Sequence, residues 1–148
     1  MMREVLTDVN AVAYMVNGIE RARAQLAGLK QTLGGEVKTA DVRNSADTLE
    51  KRLMAVEEDL IQLRVTGRGQ DGIRYPVKLG GRLLYLAGGL GTADFRPTDQ
   101  QREVHRALRE QVRVSRAKYD AVMTQDVAAF NGMLQSRGLG GVINQDRK

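Results

Sequence analysis

Five arginines form the pattern best suited to binding a ligand in this 148-residue chain. They recur at alternating steps of four and three residues, so they lie on one face of a helix. This arginine stripe consists of Arg102, Arg106, Arg109, Arg113 and Arg116. Aligned guanidinium groups bind phosphates and other anions, which makes the stripe a candidate surface for an anion or another partner.

The same arginines also fit a solvated helix face, which is the commoner outcome for a run of charges. Glu103 and Glu110 interrupt the positive charge, and no aromatic side chain for stacking lies nearby. Asp47, Glu50 and Glu57 on a neighbouring helix are suitable ion-pair partners. The sequence leaves both interpretations open.

Residue types that carry catalysis are scarce. The chain has no cysteine, which excludes disulfides, thiolate metal sites and thiol catalysis. His105 is the only histidine, and without a ligand or base partner it is expected on the solvated surface. Glycines at 67, 69 and 72 match a dinucleotide fingerprint but lack its preceding strand. The carboxylates at 57–59 point in different directions. We therefore predict a protein that is not an enzyme, with no catalytic residue, metal or cofactor.

The elements that position these residues follow from two heptad runs of apolar side chains. The first run comprises Val5, Val9, Val12, Val16, Ile19, Leu26 and Leu33. The second comprises Val42, Ala46, Leu49, Leu53, Val56, Leu60 and Leu63. Each run is one buried helix face, and the runs predict helices over approximately 3–33 and 40–64. Because the connection is short, these helices are expected to pack as an antiparallel hairpin.

Two further helices are predicted after a loop at 65–75. A short glycine-rich helix over 76–91 begins with Pro76 in its first turn, where the missing N–H costs nothing. Residues 98–101 read as a capping box that opens a helix over 99–137. Its buried side is expected at Val104, Leu108, Val112, Tyr119, Val122, Phe130 and Leu134. The tail at 141–148 is expected to fray.

These elements predict an all-α fold, a mostly antiparallel four-helix bundle that forms one domain over 1–148. Aromatic residues make up only 4% of the chain, which favours helix packing over a sheet. No run approaches the roughly 18 apolar residues of a membrane span. Arg23 and Asp126 fall in the apolar seams, and a buried charge requires a partner. We therefore predict that they pair and fix the register of the first helix against the fourth.

Several segments of the chain resemble a known family. They are residues 70–79 with Arg82 and Leu83, and residues 19–26, 96–100, 126–131 and 138–139. Taken in their order along the chain, they are similar to the helical C-terminal region of bacterial sortilin-like, Asp-box-repeat β-propeller proteins, which are often labelled glycosyl hydrolases. The resemblance covers nearly the whole chain. Any hydrolase chemistry of that family would lie in the propeller, which this sequence does not contain.

The resemblance implies a non-catalytic structural or interaction module that mediates packing or assembly. Its expected partner is a protein, either a propeller domain or a second copy of the chain. The alternative is a small basic helical protein that binds nucleic acid or an acidic polysaccharide through the arginine stripe. The net charge of +5 suits that alternative. Members of the family are typically exported, but the first residues lack the apolar core of a signal peptide, so the compartment is left open.

Overall fold

The computed structural model describes residues 1–64, 75–92 and 96–139, and this part of the chain is all-α, without strands. Four helices form a packed bundle, as the sequence predicts. They are α1 (Met2–Leu33), α2 (Ala40–Leu60), α3 (Leu79–Gly91) and a fourth made of α4 (Asp99–Ala121), a π-helical segment (Val122–Asp126) and α5 (Val127–Ser136). A 3-10 turn, Val37–Thr39, precedes α2. Most of the predicted loop, including the glycine fingerprint, and the predicted frayed tail lie outside the described residues.

The helix ends follow local chemistry. The predicted capping box is confirmed, because the Thr98 N–H donates to Gln101 Oε1 at 2.9 Å and the Gln101 N–H donates to Thr98 Oγ1 at 3.2 Å. Gly138 adopts a φ of 69° after α5. There the Leu139 N–H donates to the Leu134 carbonyl at 3.0 Å, which is one bond of a Schellman motif. These caps stop the fourth helix at both ends.

Two predicted helix boundaries are wrong. The third helix begins at Leu79, and Pro76 lies before it rather than in its first turn. The Pro76 carbonyl instead accepts a hydrogen bond from Gln62 Nε2 at 3.0 Å. The second helix ends at Leu60 instead of continuing to residue 64. The Gln62–Pro76 hydrogen bond thus joins the segment that follows α2 to the segment that precedes α3.

The chain divides into two compact units. Unit 1 comprises Met1–Val16 and Glu57–Ala117, and unit 2 comprises Asn17–Val56 and Lys118–Lys148. The single-domain organisation stays a prediction. No helix in the described residues is both long enough and apolar enough to cross a bilayer.

In unit 1, α3 packs antiparallel to the first part of α1. A side chain at Gly80 would contact Val12, and one at Gly91 would contact Met2, so the two helices run in opposite directions. Gly80 also faces the Leu60 carbonyl at 3.3 Å from its ideal Cβ position. The start of α3 therefore lies against the end of α2.

Helix α4 completes unit 1 and runs parallel to α1. Asp8 contacts His105, and farther along both helices the Arg116 guanidinium lies over the Tyr14 ring. The apolar core of this unit is made by residues on all of these helices. It contains Val5, Val12, Met15, Leu60, Leu79, Leu83, Leu86, Leu108 and Val112.

In unit 2, α2 packs antiparallel to the second part of α1 and to α5. Lys30 Nζ donates to Asp47 Oδ1 at 2.9 Å and to Glu50 Oε2 at 2.6 Å. Two arginine–carboxylate pairs, Arg52 with Asp126 and Arg137 with Asp41, join α2 to the end of the fourth helix. The core comprises Ile19, Ala22, Leu26, Leu29, Val42, Ala46, Leu49, Leu53, Val56, Tyr119, Val127, Phe130 and Leu134.

The buried face of α1 differs from the predicted one by a single residue at alternate positions. Val5, Val12, Ile19 and Leu26 are buried as expected. Between them the structure buries Asp8, Met15 and Ala22, where the sequence predicted Val9, Val16 and Arg23. The observed series takes three residues and then four, whereas the prediction took four and then three. Both series repeat every seven residues and differ only in the order of the two steps.

The buried face of the fourth helix is shifted in the same way. Its first part runs through His105, Leu108, Val112, Ser115 and Tyr119, and its second part through Val127, Phe130 and Leu134. The predictions at Val104 and Val122 are wrong, because Val104 is 41% exposed and Val122 is not buried. Tyr119 and Val127 are one residue farther apart than a heptad allows. The π-helical segment absorbs that extra residue.

Candidate interaction surface

His105 is buried, which corrects the prediction of a solvated side chain. Its Nε2 lies 2.8 Å from Asp8 Oδ2, and the two side chains are only 8% and 11% exposed. His105 shares the buried face of α4 with Leu108, and Asp8 shares that of α1 with Val5. The pair therefore joins two helices inside unit 1.

A histidine held by a carboxylate also occurs in catalytic triads, where the other ring nitrogen faces a nucleophile. Ser115 is the buried hydroxyl on the same helix, but it lies ten residues from His105. Ten residues of α-helix span about 15 Å, far beyond hydrogen-bond reach. Within the described residues, no group of three or more histidine, aspartate or glutamate side chains is arranged to hold a metal ion. The geometry supports a structural role for the pair.

The arginine stripe lies on the exposed face of α4, and most of it meets acidic side chains. Arg102 binds Asp99 at 3.1 Å on the same helix, and Arg109 Nη1 lies 3.8 Å from Glu4 of α1. The partners suggested by the sequence are elsewhere, because Asp47 and Glu50 bind Lys30 and Glu57 is fully buried.

Arg113 forms the best-aligned contact of the stripe. Its Nε and Nη2 donate to the two Glu110 carboxylate oxygens at 2.9 and 2.6 Å. This hydrogen bonding lowers the pKa of Glu110 and raises that of Arg113. Arg106 forms no ion pair with another described residue. The stripe is therefore a mixed surface in which part of the positive charge is neutralised.

An aromatic ring does adjoin the stripe, contrary to the sequence-based expectation. The Arg116 guanidinium carbon lies 5.2 Å from the centroid of the Tyr14 ring. Tyr14 belongs to α1, and its side chain is half exposed. This contact is in the range of a cation–π interaction. Sequence reasoning missed Tyr14 because it lies on another helix.

An apolar groove of about 500 Å³ lies between α3 and α4. Its lining includes Val77, Tyr85, Leu86 and Val104, with Gly89 on the α3 side. The Tyr85 side chain is 87% exposed, and Val77 is also largely exposed. Sequence reasoning assigned Val104 to the core, so it missed this surface. We call this surface the α3–α4 groove.

A second concavity, of about 390 Å³, belongs to unit 2. It is lined by polar side chains of α2 such as Asn44 and Thr48, and it holds the Arg52–Asp126 ion pair. Asp126 is partly exposed there, because Val127 takes the buried position beside it. The predicted pairing of Asp126 with Arg23 stays a prediction.

Comparison with known proteins adds no relative. No family model, curated protein or solved structure matches the chain.

Proposed function

We propose that this chain is a non-catalytic interaction module that binds another protein through unit 1. The observation that carries the proposal is the exposed apolar surface of α3. Leu84 and Tyr85 are both largely exposed, and Arg82 is the only charged residue in the helix. A module of this kind matches the role implied by the resemblance to the C-terminal region of sortilin-like proteins, which is packing on another domain or assembly.

The physical reason is the cost of leaving apolar surface in water, about 25 cal/mol per Å². Single exposed apolar residues are ordinary in soluble proteins. Here, however, Leu84 and Tyr85 are both exposed on one 13-residue helix, and Tyr85 also lines an apolar groove. An exposed apolar groove is typical of protein-binding sites.

A photo-crosslinking experiment tests the proposal in the source cells. Benzoylphenylalanine replaces Tyr85 in one variant of the chain, and Val37 in a matched control. Val37 is equally exposed, at 88%, but belongs to a turn in unit 2. We expect position 85, and not position 37, to crosslink to one defined protein.

The crosslink should persist at about 1 M salt, where the Debye length is ~3 Å, because apolar burial is insensitive to screening. Equal yields at both positions, or no protein adduct at position 85, would contradict the proposed function. Intact-mass analysis of the native polypeptide in the same cells shows whether the partner is another domain of the same chain.

The alternative function, binding of an anionic polymer, is favoured by the exposure of the arginine stripe and by the Arg116–Tyr14 contact. It predicts binding to single-stranded DNA or an acidic polysaccharide that weakens steeply as salt rises. Arg106→Gln would then lower the slope of log K against log salt by about 1. Binding that ignores salt, or no binding at all, would rule this alternative out.

A further inference from the structure

We propose that the α3–α4 groove binds an amphipathic helix of a partner protein whose apolar face is flanked by carboxylates. The inference rests on the proposed interaction function and names its site and the chemistry of its partner. Helices commonly recognise grooves of this type by inserting apolar side chains from successive turns.

The shape of the groove suits a helix. It lies between two antiparallel helices, since Arg82 Nη1 donates to Gln111 Oε1 at 3.2 Å near one end of the contact and Gly89 faces Gln101 near the other. The 13 residues of α3 extend about 20 Å at 1.5 Å per residue. A docked helix with a pitch of about 5.4 Å would contact them over three to four turns.

The apolar contacts would come from both walls. Leu86 and Tyr85 project from α3, and Val104 projects from α4. Tyrosine is enriched among residues that dominate binding energy, because its ring buries a large area with little loss of side-chain entropy. Tyr85 is therefore the expected anchor.

The charged residues in and around the groove indicate which kind of helix it would bind. Among the residues that the structure describes, no acidic side chain lines the groove, and Arg82 is its only charged lining residue. Lys78, α3 and the segment 96–117 together carry eight basic and three acidic residues. Three of these arginines already meet carboxylates, namely Arg102, Arg109 and Arg113. The charge that remains, with Arg82 in the groove itself, favours a helix bearing aspartate or glutamate beside its apolar stripe over one bearing lysine.

Two glycines on α3 leave room for a close approach. A side chain at Gly88 would have no neighbour within 4 Å, and one at Gly89 would only reach Gln101 Nε2 at 4.0 Å. Internal packing therefore does not require glycine at these positions, although glycine weakens a helix. Gly89 also provides a blocking variant, because it lines the groove and a Cβ atom there would meet only Gln101 Nε2, at 4.0 Å, so the Gly89→Leu side chain starts in open space on the groove side.

Two synthetic amphipathic peptides test the proposal with the full chain. Both are about 18 residues long and carry leucines at i, i+3, i+4 and i+7, and they differ only in glutamate or lysine flanks. Binding is measured by fluorescence anisotropy. We expect the glutamate peptide to bind at least about tenfold more tightly than the lysine peptide.

Tyr85→Ala and Gly89→Leu should each weaken binding of the glutamate peptide at least about tenfold. Val37→Ala and Gly28→Leu are the matched controls and should leave it unchanged, since Gly28 also has open space around it but lies on α1 in unit 2. Circular dichroism verifies that each variant is folded.

Equal binding of both peptides, or binding that ignores Tyr85→Ala and Gly89→Leu, would overturn the inference. Its failure is distinct from failure of the proposed function. A protein crosslinked at position 85, combined with no selective binding of the glutamate peptide, would retain the interaction function and reject the acidic helix. A crosslink to a second copy of the chain would reject the assigned partner.

Discussion

The buried Asp8–His105 pair can be tested by replacing its members with leucine, singly and together. Asp8→Leu leaves the histidine nitrogen buried without its 2.8 Å partner. A buried polar group without a hydrogen bond costs about 1–3 kcal/mol, so we expect a loss of about 2 kcal/mol in the free energy of unfolding. His105→Leu leaves a buried carboxylate instead. An unpartnered buried carboxylate costs more than an unpartnered neutral group, so we expect the larger loss there, about 3 kcal/mol.

The double variant measures the interaction between the two side chains separately from the cost of replacing each one. Two leucines provide apolar contacts at both seam positions, and replacement of both partners of a buried hydrogen bond by apolar residues is often nearly neutral or stabilising. The free energy of unfolding should therefore return to within about 1 kcal/mol of the original chain, although the single losses would sum to about 5 kcal/mol. Such non-additivity is the signature of a direct buried contact.

Urea unfolding followed by circular dichroism at neutral pH measures all four proteins, with the slope of each transition used to verify two-state behaviour. The exposed pair of Glu110 and Arg113 provides the control, and Glu110→Gln should leave the midpoint unchanged. Single losses below about 0.5 kcal/mol that simply add would refute the burial of the pair.

Three other perturbations concern unit 2. Gly18→Ala should lower the free energy of unfolding by about 1–3 kcal/mol in thermal or urea denaturation, because the new methyl would overlap the Tyr119 ring and hydroxyl; a cost close to zero would contradict that close approach. Deletion of Gln125 should change stability by less than about 1 kcal/mol, since it removes the extra residue of the π-helical segment, whereas a deletion in the middle of α4 should be far more damaging. Lys30→Met should destabilise the chain at neutral pH. The hydrogen bond from Lys30 holds the pKa of Asp47 below its ordinary 3.8. The contribution of this bond to the free energy of unfolding is therefore present above pH 3.8 and is lost as the pH falls through the pKa of Asp47 in the folded chain. The difference between the two proteins should therefore close in acid, and a constant difference would refute the linkage.

The heptad patterns predict some helix faces better than others. On α2 every predicted position from Val42 to Leu60 is buried, because the apolar residues there occur at only one phase. On α1, Val9 and Val16 lie beside the true seam residues Asp8 and Met15, so the sequence offers apolar side chains at both phases. Only the position of the packing partner decides between such phases.

The Asp8–His105 pair and the α3–α4 groove were harder to predict, because both depend on contacts between residues that are distant in the sequence. Asp8 and His105 are 97 positions apart, and residue type alone places both on the surface. A usable signal exists, since His105 is in heptad phase with Leu108 and Val112. The groove could not be predicted for the same reason. It forms because His105, and not Val104, lies on the buried face of α4.

The polar pair and the apolar groove are consequences of one rotation of α4. Successive residues on an α-helix are about 100° apart, so His105 and Val104 cannot both face α1. When His105 contacts Asp8, Val104 turns toward α3 and becomes part of the groove lining. An apolar residue at position 105 would allow either rotation, because apolar contacts are not directional. We infer that the buried hydrogen bond makes unit 1 choose one rotation, and that its contribution lies in specificity of packing more than in stability.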